Sequence, residues 1–484
     1  MADNAQAAGG QAAESRSHPM LTLAVLCLAG LAYAMLSSAV VPALPTIERA
    51  VGTTETGIAW LLTGYLLSAS VATSILGRLG DMYGKERLLL YTVVMLAAGT
   101  LLAAIASSLS LLIVARVIQG AGGGVFPLAM GIVRDEFPRE KVAGSIGLLS
   151  AILGIGAGIG IVLAGVIVEH LDYHWLFWIP LFAIVVSAVL IWRVVPESPI
   201  RVPGTINWAA AALMTTGITL ALLAVSQTTV WGWGSVKTLG LLAAGLLVCA
   251  AWVIIELRSR VPLIDMEMMR IRGVWTVNLA AFLLGAGMYS SFIVIPQFVQ
   301  LPKSTGFGFG ASVVASGLYL LPSTVGMFAM GMLAGRISAR FGSKFSLIVG
   351  SAVTAAGFAW LAVAHAHPYD FLIAAALMGI GVGLAFAALG TLVIGAVTPE
   401  QSGVASGMNT VMRTLGGALG GQLSATFIAD HVHDGLPTIT GFTDTFAMAT
   451  IFLLVCVFAS TLVPSQRARA LVVEPASAAP AGEG

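Results

Sequence analysis

The sequence predicts an all-α integral membrane protein, two six-helix bundles joined by an extra pair of helices, and three observations lead there. Of 484 residues, 58% are hydrophobic and 9% charged, whereas a soluble domain carries about 25% charged residues. Fourteen apolar runs reach the roughly 20 residues that a bilayer-crossing helix needs. A tight basic turn, Gly77-Arg78-Leu79-Gly80-Asp81-Met82-Tyr83-Gly84-Lys85-Glu86-Arg87, returns 258 residues later as Gly335-Arg336-Ile337-Ser338-Ala339-Arg340-Phe341-Gly342-Ser343-Lys344. A turn that recurs at half the chain length marks two related halves.

In order, the spans fall near 20–44, 56–77, 88–107, 110–133, 142–168, 175–195, 205–227, 238–256, 273–300, 310–335, 345–364, 370–397, 403–429 and 443–463. Their lengths suit helices and exceed the ten-residue alternating strands of an outer-membrane barrel. Both termini are expected inside the cell. With that orientation 18 of 23 Lys and Arg are cytoplasmic, Arg49, Lys237 and Lys303 are outside, and Arg116 and Arg413 lie within spans, which obeys the positive-inside rule.

The repeated turn joins spans 2 and 3, then spans 10 and 11. This register gives a disordered cytoplasmic tail at 1–19, a bundle at 20–200, a two-helix insert at 201–256, a linker at 257–272, a second bundle at 273–464 and a loose tail at 465–484. The linker mixes Arg258, Arg260, Arg270 and Arg272 with Leu263, Ile264, Met266 and Met269, a pattern suited to a short helix lying on the cytoplasmic surface. Cys27, Cys249 and Cys456 sit in separate spans and read as apolar packing residues.

Several residues stand out chemically. Gly77 and Gly84 permit close helix approach and a tight turn. Asp81 is suited to the free N–H groups of a helix N-terminus, and Lys85 one turn on is expected to pair with Asp135. An arginine in a span costs roughly 2.5–3.5 kcal/mol on insertion scales and is a functional candidate by default; Arg116, with Gln119 on nearly the same face, and Arg413 are such residues. Gly154/Gly158, Gly156/Gly160 and Gly416/Gly420 are small-xxx-small pairs that let helices pack closely, statically or as sliding faces.

Taken together, Gly77, Leu79, Asp81, Gly84, Lys85 and Arg87, the run Arg116-Val117-Ile118-Gln119-Gly120, and the glycines from Gly154 to Gly165 resemble three motifs of the major facilitator superfamily, in its fourteen-span drug:proton antiporter branch. The resemblance implies a major-facilitator-type fold, a latch at the Asp81 turn, and a link between Arg116 and proton coupling. Two departures are visible. The span 5 motif lacks its proline, and Leu36 stands where the branch commonly carries an acid in span 1. None of the 22 Asp and Glu residues lies near the middle of a span.

A central cavity between the halves is expected to draw on Tyr33, Ser37, Tyr65, Asn278, Tyr289, Phe292, Gln297 and Tyr319. Aromatic side chains with a few polar atoms suit bulky amphipathic ligands, and two intramembrane arginines without acids favour neutral or anionic ones. The expected activity is export of drug-like molecules across the inner membrane by a monomer, powered by the proton gradient, with the lipid bilayer as surroundings and without cofactor, metal or nucleic acid. A facilitator or importer of a metabolite, and a non-transporting receptor or lipid-flipping protein on the same scaffold, are the alternatives. External His170, His174, His365, His367, His431 and His433 suggest pH sensing or metal binding, against plain solvated loops. No Ser/His/Asp set or nucleotide loop points to an enzyme.

Overall fold

A computed structural model describes residues 19–197, 207–259, 262–433 and 436–464. Residues 1–18, 465–484, the bundle–insert junction at 198–206, linker residues 260–261 and residues 434–435 lie outside it.

The first half comprises α1 (Pro19–Val51), α2 (Glu55–Tyr83), α3 (Lys85–Ala104), α4 (Leu109–Gln119), a 3-10 turn (Gly120–Gly124), α5 (Val125–Glu136), α6 (Arg139–His170) and α7 (Trp175–Val194). The insert holds α8 (Trp208–Ser226), a short α9 (Thr228–Trp231) and α10 (Val236–Arg258). After α11 (Met266–Arg270), the second half contains α12 (Arg272–Gln300), α13 (Val313–Tyr319), α14 (Leu321–Phe341), α15 (Ser343–Val363), α16 (Pro368–Gly395), α17 (Ser402–Asp430) and α18 (Ile439–Thr461). A two-stranded hairpin, β1 (Val432–His433) with β2 (Leu436–Pro437), precedes α18. Polar residues set several starts: Thr54, Ser108, Asn207, Ser235, Asp265 and Ser312 each accept a backbone N–H of the helix that follows, which satisfies donors left free in a first turn.

Among the described residues, thirteen segments are long and apolar enough to cross a membrane, counting α4–α5 and α13–α14 as single spans. The remaining run, 403–429, is α17, a continuous helix of 29 residues. Its Gly, Ser, Thr and Asn content makes it less apolar, and it is wrapped by α2, α12 and α18. Lipid-facing character is plain elsewhere, as at Phe182 on α7, Leu247 on α10 and Phe458 on α18.

The repeated turn has the same backbone in both halves. Gly84 has φ 110° and ψ 133°, and Gly342 has φ 89° and ψ 149°, in the region that side-chain-bearing residues avoid. Each ends one helix and starts the next. The first glycine of each turn also plays one part twice. A Cβ at Gly77 would fall 2.5 Å from the Gly403 carbonyl oxygen at the start of α17, and a Cβ at Gly335 would fall 2.6 Å from Gly144 Cα near the start of α6. The halves therefore meet along two related seams, α2 with α17 and α14 with α6.

The glycine pairs divide by location. Gly154 and Gly158 face Met327 and Thr324 of α14, across the seam, whereas Gly156 and Gly160 face α1 within the first half. Gly416 and Gly420 press on the backbone of α12 at Phe282 and Ala286, inside the second half.

The insert is tied to α17 through Trp233, and the linker to Gln401, the residue before α17. Trp233 Nε1 donates to Thr426 Oγ1 at 2.8 Å, and Gln401 Nε2 donates to Asp265 Oδ2 at 3.0 Å. Glu256 at the end of α10 accepts the Leu263 N–H at 2.9 Å and the Trp252 Nε1–H at 3.2 Å. These bonds fold the linker inward, so that Leu263, Ile264 and Met268 are buried. The linker's apolar residues thus pack into protein, where the sequence suggested a surface-lying helix.

Packing this close leaves no room for a methyl group. Gly416→Ala should lower thermal stability by about 1–3 kcal/mol, measured as unfolding of the detergent-purified protein, while Gly240→Ala on the open face of α10, with nothing within 4 Å, should leave it unchanged.

Candidate functional site

Polar chemistry concentrates in two places. One is the face that carries the repeated turns, here called the basic face; the other is deep between the halves.

On the basic face the Asp81 carboxylate, 1% exposed, crosses the α2–α17 seam. Its Oδ1 accepts the Gly403 N–H at 3.3 Å and its Oδ2 the Val404 N–H at 3.2 Å. These are free donors of the first turn of α17, at the positive end of its dipole. Lys85 Nζ lies 3.4 Å from Asp81 Oδ1 and donates to Asp135 Oδ2 at 2.6 Å. All three side chains are buried, and Gly131 leaves room for the Lys85 stem, since a Cβ there would come within 2.8 Å of Lys85 Cδ and Cε. Arg87 lies apart, half in solvent, with its Nε 3.0 Å from Glu197 Oε2; such exposed pairs contribute little.

Sequence reasoning missed Arg134. From the end of α5 its guanidinium donates to the carbonyls of Ile394 at 2.9 Å, Val397 at 3.0 Å and Thr398 at 3.3 Å, at and just beyond the C-terminus of α16. The second half is thus gripped where α16 ends and α17 begins, by a cation at the negative end of one helix and an anion at the positive end of the next. The neighbouring Asp135 drew notice through Lys85, but nothing local in sequence marks the carbonyls that Arg134 meets.

The deep group starts from Arg116, fully buried on α4. Its Nε donates to the Leu61 carbonyl at 3.2 Å, its Nη1 to Gln119 Oε1 at 2.9 Å, and Gln119 Nε2 reaches Thr100 Oγ1 at 3.4 Å. The guanidinium carbon lies 4.2 Å from the centre of the Tyr65 ring, a cation–π contact. Two atoms here, Arg116 Nη2 and the Tyr65 hydroxyl, are buried without a well-formed hydrogen bond.

Tyr65 lies beside Tyr33 and Ser37 of α1, with Tyr289 of α12 within electrostatic reach. Tyr33 and Tyr289 in turn are the electrostatic neighbours of Arg413 on α17, whose guanidinium carbon is 4.7 Å from the centre of the Phe386 ring. Glycines place both tyrosines. A Cβ at Gly122 would meet the Tyr33 ring at 2.7 Å, and one at Gly417 the Tyr289 ring at 2.5 Å. Phe292 stands edge-on to Tyr289, centroids 6.2 Å apart. Tyr33, Tyr289 and Arg413 lie deep in the protein yet keep accessible surface.

Three other residues expected in this cavity sit elsewhere. Asn278 is buried on the α12–α17 contact, where its Oδ1 accepts from Asn409 Nδ2 at 3.0 Å. Gln297 is exposed near the far end of α12. Tyr319 stacks on Phe309, centroids 6.1 Å apart.

The histidines are absorbed locally. His170, His365 and His431 each bond through Nδ1 to the carbonyl four residues back, at 3.1, 2.8 and 3.0 Å. His174 contacts Asp172, and His367 Nδ1 lies 3.7 Å from Asp370. Among the described residues no three metal-ligating side chains cluster.

Removing one partner of a buried ion pair strands the other charge, at a cost of about 3–5 kcal/mol. Lys85→Met should therefore lower thermal stability by that order, and the double variant Lys85→Met with Asp135→Leu should recover part of the loss in the same unfolding measurement.

This arrangement has counterparts among known proteins. The family model described as Major Facilitator Superfamily matches residues 26–421, with a second match over 277–482. The tetracenomycin C resistance and export protein of Streptomyces glaucescens is 27% identical over 81% of this chain and 73% of its own length. The multidrug transporter protein MdtP of Bacillus subtilis is 29% identical over 78% of this chain and 70% of its own. In structure, the human organic anion transporter MFSD10 superposes with a TM-score of 0.67, at 14% identity, covering 92% of this chain and all of that one. The proton:xylose symporter XylE gives 0.65 at 15% identity, over 92% and 96%. The chain belongs to the major facilitator superfamily and is a multi-pass membrane transporter, not an enzyme.

Proposed function

We propose that this transporter exports amphipathic, drug-like small molecules across the inner (cytoplasmic) membrane, as a monomer, by alternating access driven by proton antiport. Both termini and the basic face are cytoplasmic in this reading, as the Lys and Arg distribution requires. Relatives named for multidrug transport and for resistance and export support the direction and the substrate range.

The observation that carries the mechanism is the contact of Asp81 with the first turn of α17. It holds the two halves together at one end by charge–dipole attraction, which can be broken and re-formed without unfolding either half. Lys85 and Asp135 fix the carboxylate, and Arg134 closes the same corner through α16. In this reading the described conformation is the one shut toward the cytoplasm. Opening inward then requires these contacts to separate along the α2–α17 seam.

Proton coupling is the finer part of the proposal. Leu36, 1% exposed, fills the place where the antiporter branch commonly has an acid. The proton-binding group is therefore assigned to the buried carboxylates of the latch, Asp81 and Asp135. The same Leu36 favours the second reading, a facilitator that runs only downhill.

The test uses purified protein in liposomes with a lipophilic dye as substrate. Under an imposed pH gradient, dye should accumulate against its gradient, and an uncoupler should abolish this. Dye that moves only downhill supports the facilitator, and dye that does not move removes the transport reading. Asp81→Asn gives up about 1–2 kcal/mol of charge–dipole attraction and one of the two assigned proton sites, so uphill transport should fall at least about tenfold.

A further inference from the structure

Resting on the transport reading above, we infer that the site between the halves selects amphipathic organic anions, with the ligand's carboxylate or phenolate held by Arg413. Arg413 makes no hydrogen bond or salt bridge to any described residue, although a guanidinium carries five N–H donors. Its guanidinium stands over the Phe386 ring face, within electrostatic reach of the phenols of Tyr33 and Tyr289. An arginine within the membrane normally pairs with an acid or with backbone carbonyls. Arg413 does neither, and among the described residues no Asp or Glu lies near the middle of any span.

Arg116 differs in role. It is fully buried, bonded to Leu61 and Gln119, and covered by the Tyr65 ring. It fixes Tyr65 and adds positive field behind it, so it is a positioning residue. The Tyr65 hydroxyl, buried and without a well-formed bond, lies beside Tyr33 and Ser37 and within electrostatic reach of Tyr289. A flat anion reaching Arg413 would meet a guanidinium fork that matches its two oxygens and phenolic O–H donors from both halves. Phe292, which keeps accessible surface, offers an apolar face to its ring system. A cation in the same place would face two arginines with no carboxylate to offset them.

Three probes of one size separate these possibilities: pyrenebutyrate, its neutral methyl ester, and a pyrenyl alkylammonium. Equilibrium binding to the purified wild-type protein should favour pyrenebutyrate over the ester about tenfold or more, the scale of a charge-assisted hydrogen-bonded contact, with the ammonium weakest. Arg413→Gln should erase the preference for the anion while leaving ester affinity within about twofold, which shows the site intact; Arg413→Lys should keep part of it. Equal or tighter binding of the ester or the ammonium, or an anion preference that survives Arg413→Gln, overturns the inference. Flux of the same probes in liposomes is scored separately. Anion-selective binding without gradient-driven flux would defeat the export reading and leave this one standing, and export of cations would do the reverse.

Discussion

A charge inside a bilayer must be answered by another group of the protein, because lipid offers none. This chain answers its buried charges in two ways. At the basic face, Asp81, Lys85 and Asp135 satisfy one another, and the last partner of Asp81 is a helix N-terminus in the other half. A bond that stays complete only while two rigid bodies touch makes their contact a discrete state and resists partial opening. Deep between the halves Arg116 is answered by its own bundle and an aromatic face, while Arg413 is left with aromatic neighbours alone. One place is satisfied by the protein in this conformation; the other is open to a ligand.

The two halves share a backbone but not this chemistry. Gly77 and Gly335 make the same close approach in their seams, and Gly84 and Gly342 make the same turn. Four residues beyond the first glycine, however, stands Asp81 in one half and Ala339 in the other; Lys85 corresponds to Ser343. The α14–α6 seam therefore packs through glycine and small side chains with no counterpart of the Asp81 contact. The two seams are therefore uneven: α2–α17 carries a charge contact, and α14–α6 is a close steric contact.

Much of this was legible in the sequence because it rests on local periodicity and on rare residues. Apolar runs gave the helices, and the cost of burying charge singled out Arg116 and Arg413. The Asp81–Lys85 spacing follows from one helical turn, and Asp135 was within reach of inference as the acid at the end of the same bundle's fourth span. What was not legible depends on distant backbone. Arg134 meets carbonyls some 260 residues away, which any sequence supplies equally. Asn278 looked like a cavity residue because it is polar and in a span, but Asn409 answers it across α12 and α17. The linker's apolar residues suggested a membrane surface, since sequence cannot show that Glu256 caps the chain that follows it and turns those residues inward. The run 403–429 reads as a span by length, although its Gly, Ser, Thr and Asn content makes it less apolar than its neighbours.

That same helix joins the two sites. Gly403 and Val404, which receive Asp81, lie about ten residues from Arg413, or roughly 15 Å along the axis. Thr426, bonded to Trp233 of the insert, lies about 20 Å further on. A continuous helix transmits displacement along its length with little loss, because shortening it would break its own hydrogen bonds. An anion drawn to Arg413 therefore acts on the rigid body whose first turn holds the latch. The insert, bonded to α17 through Trp233 and Thr426, adds exposed apolar surface to that body. Arg413 and the first turn that receives Asp81 are thus carried on one unbroken helix of 29 residues.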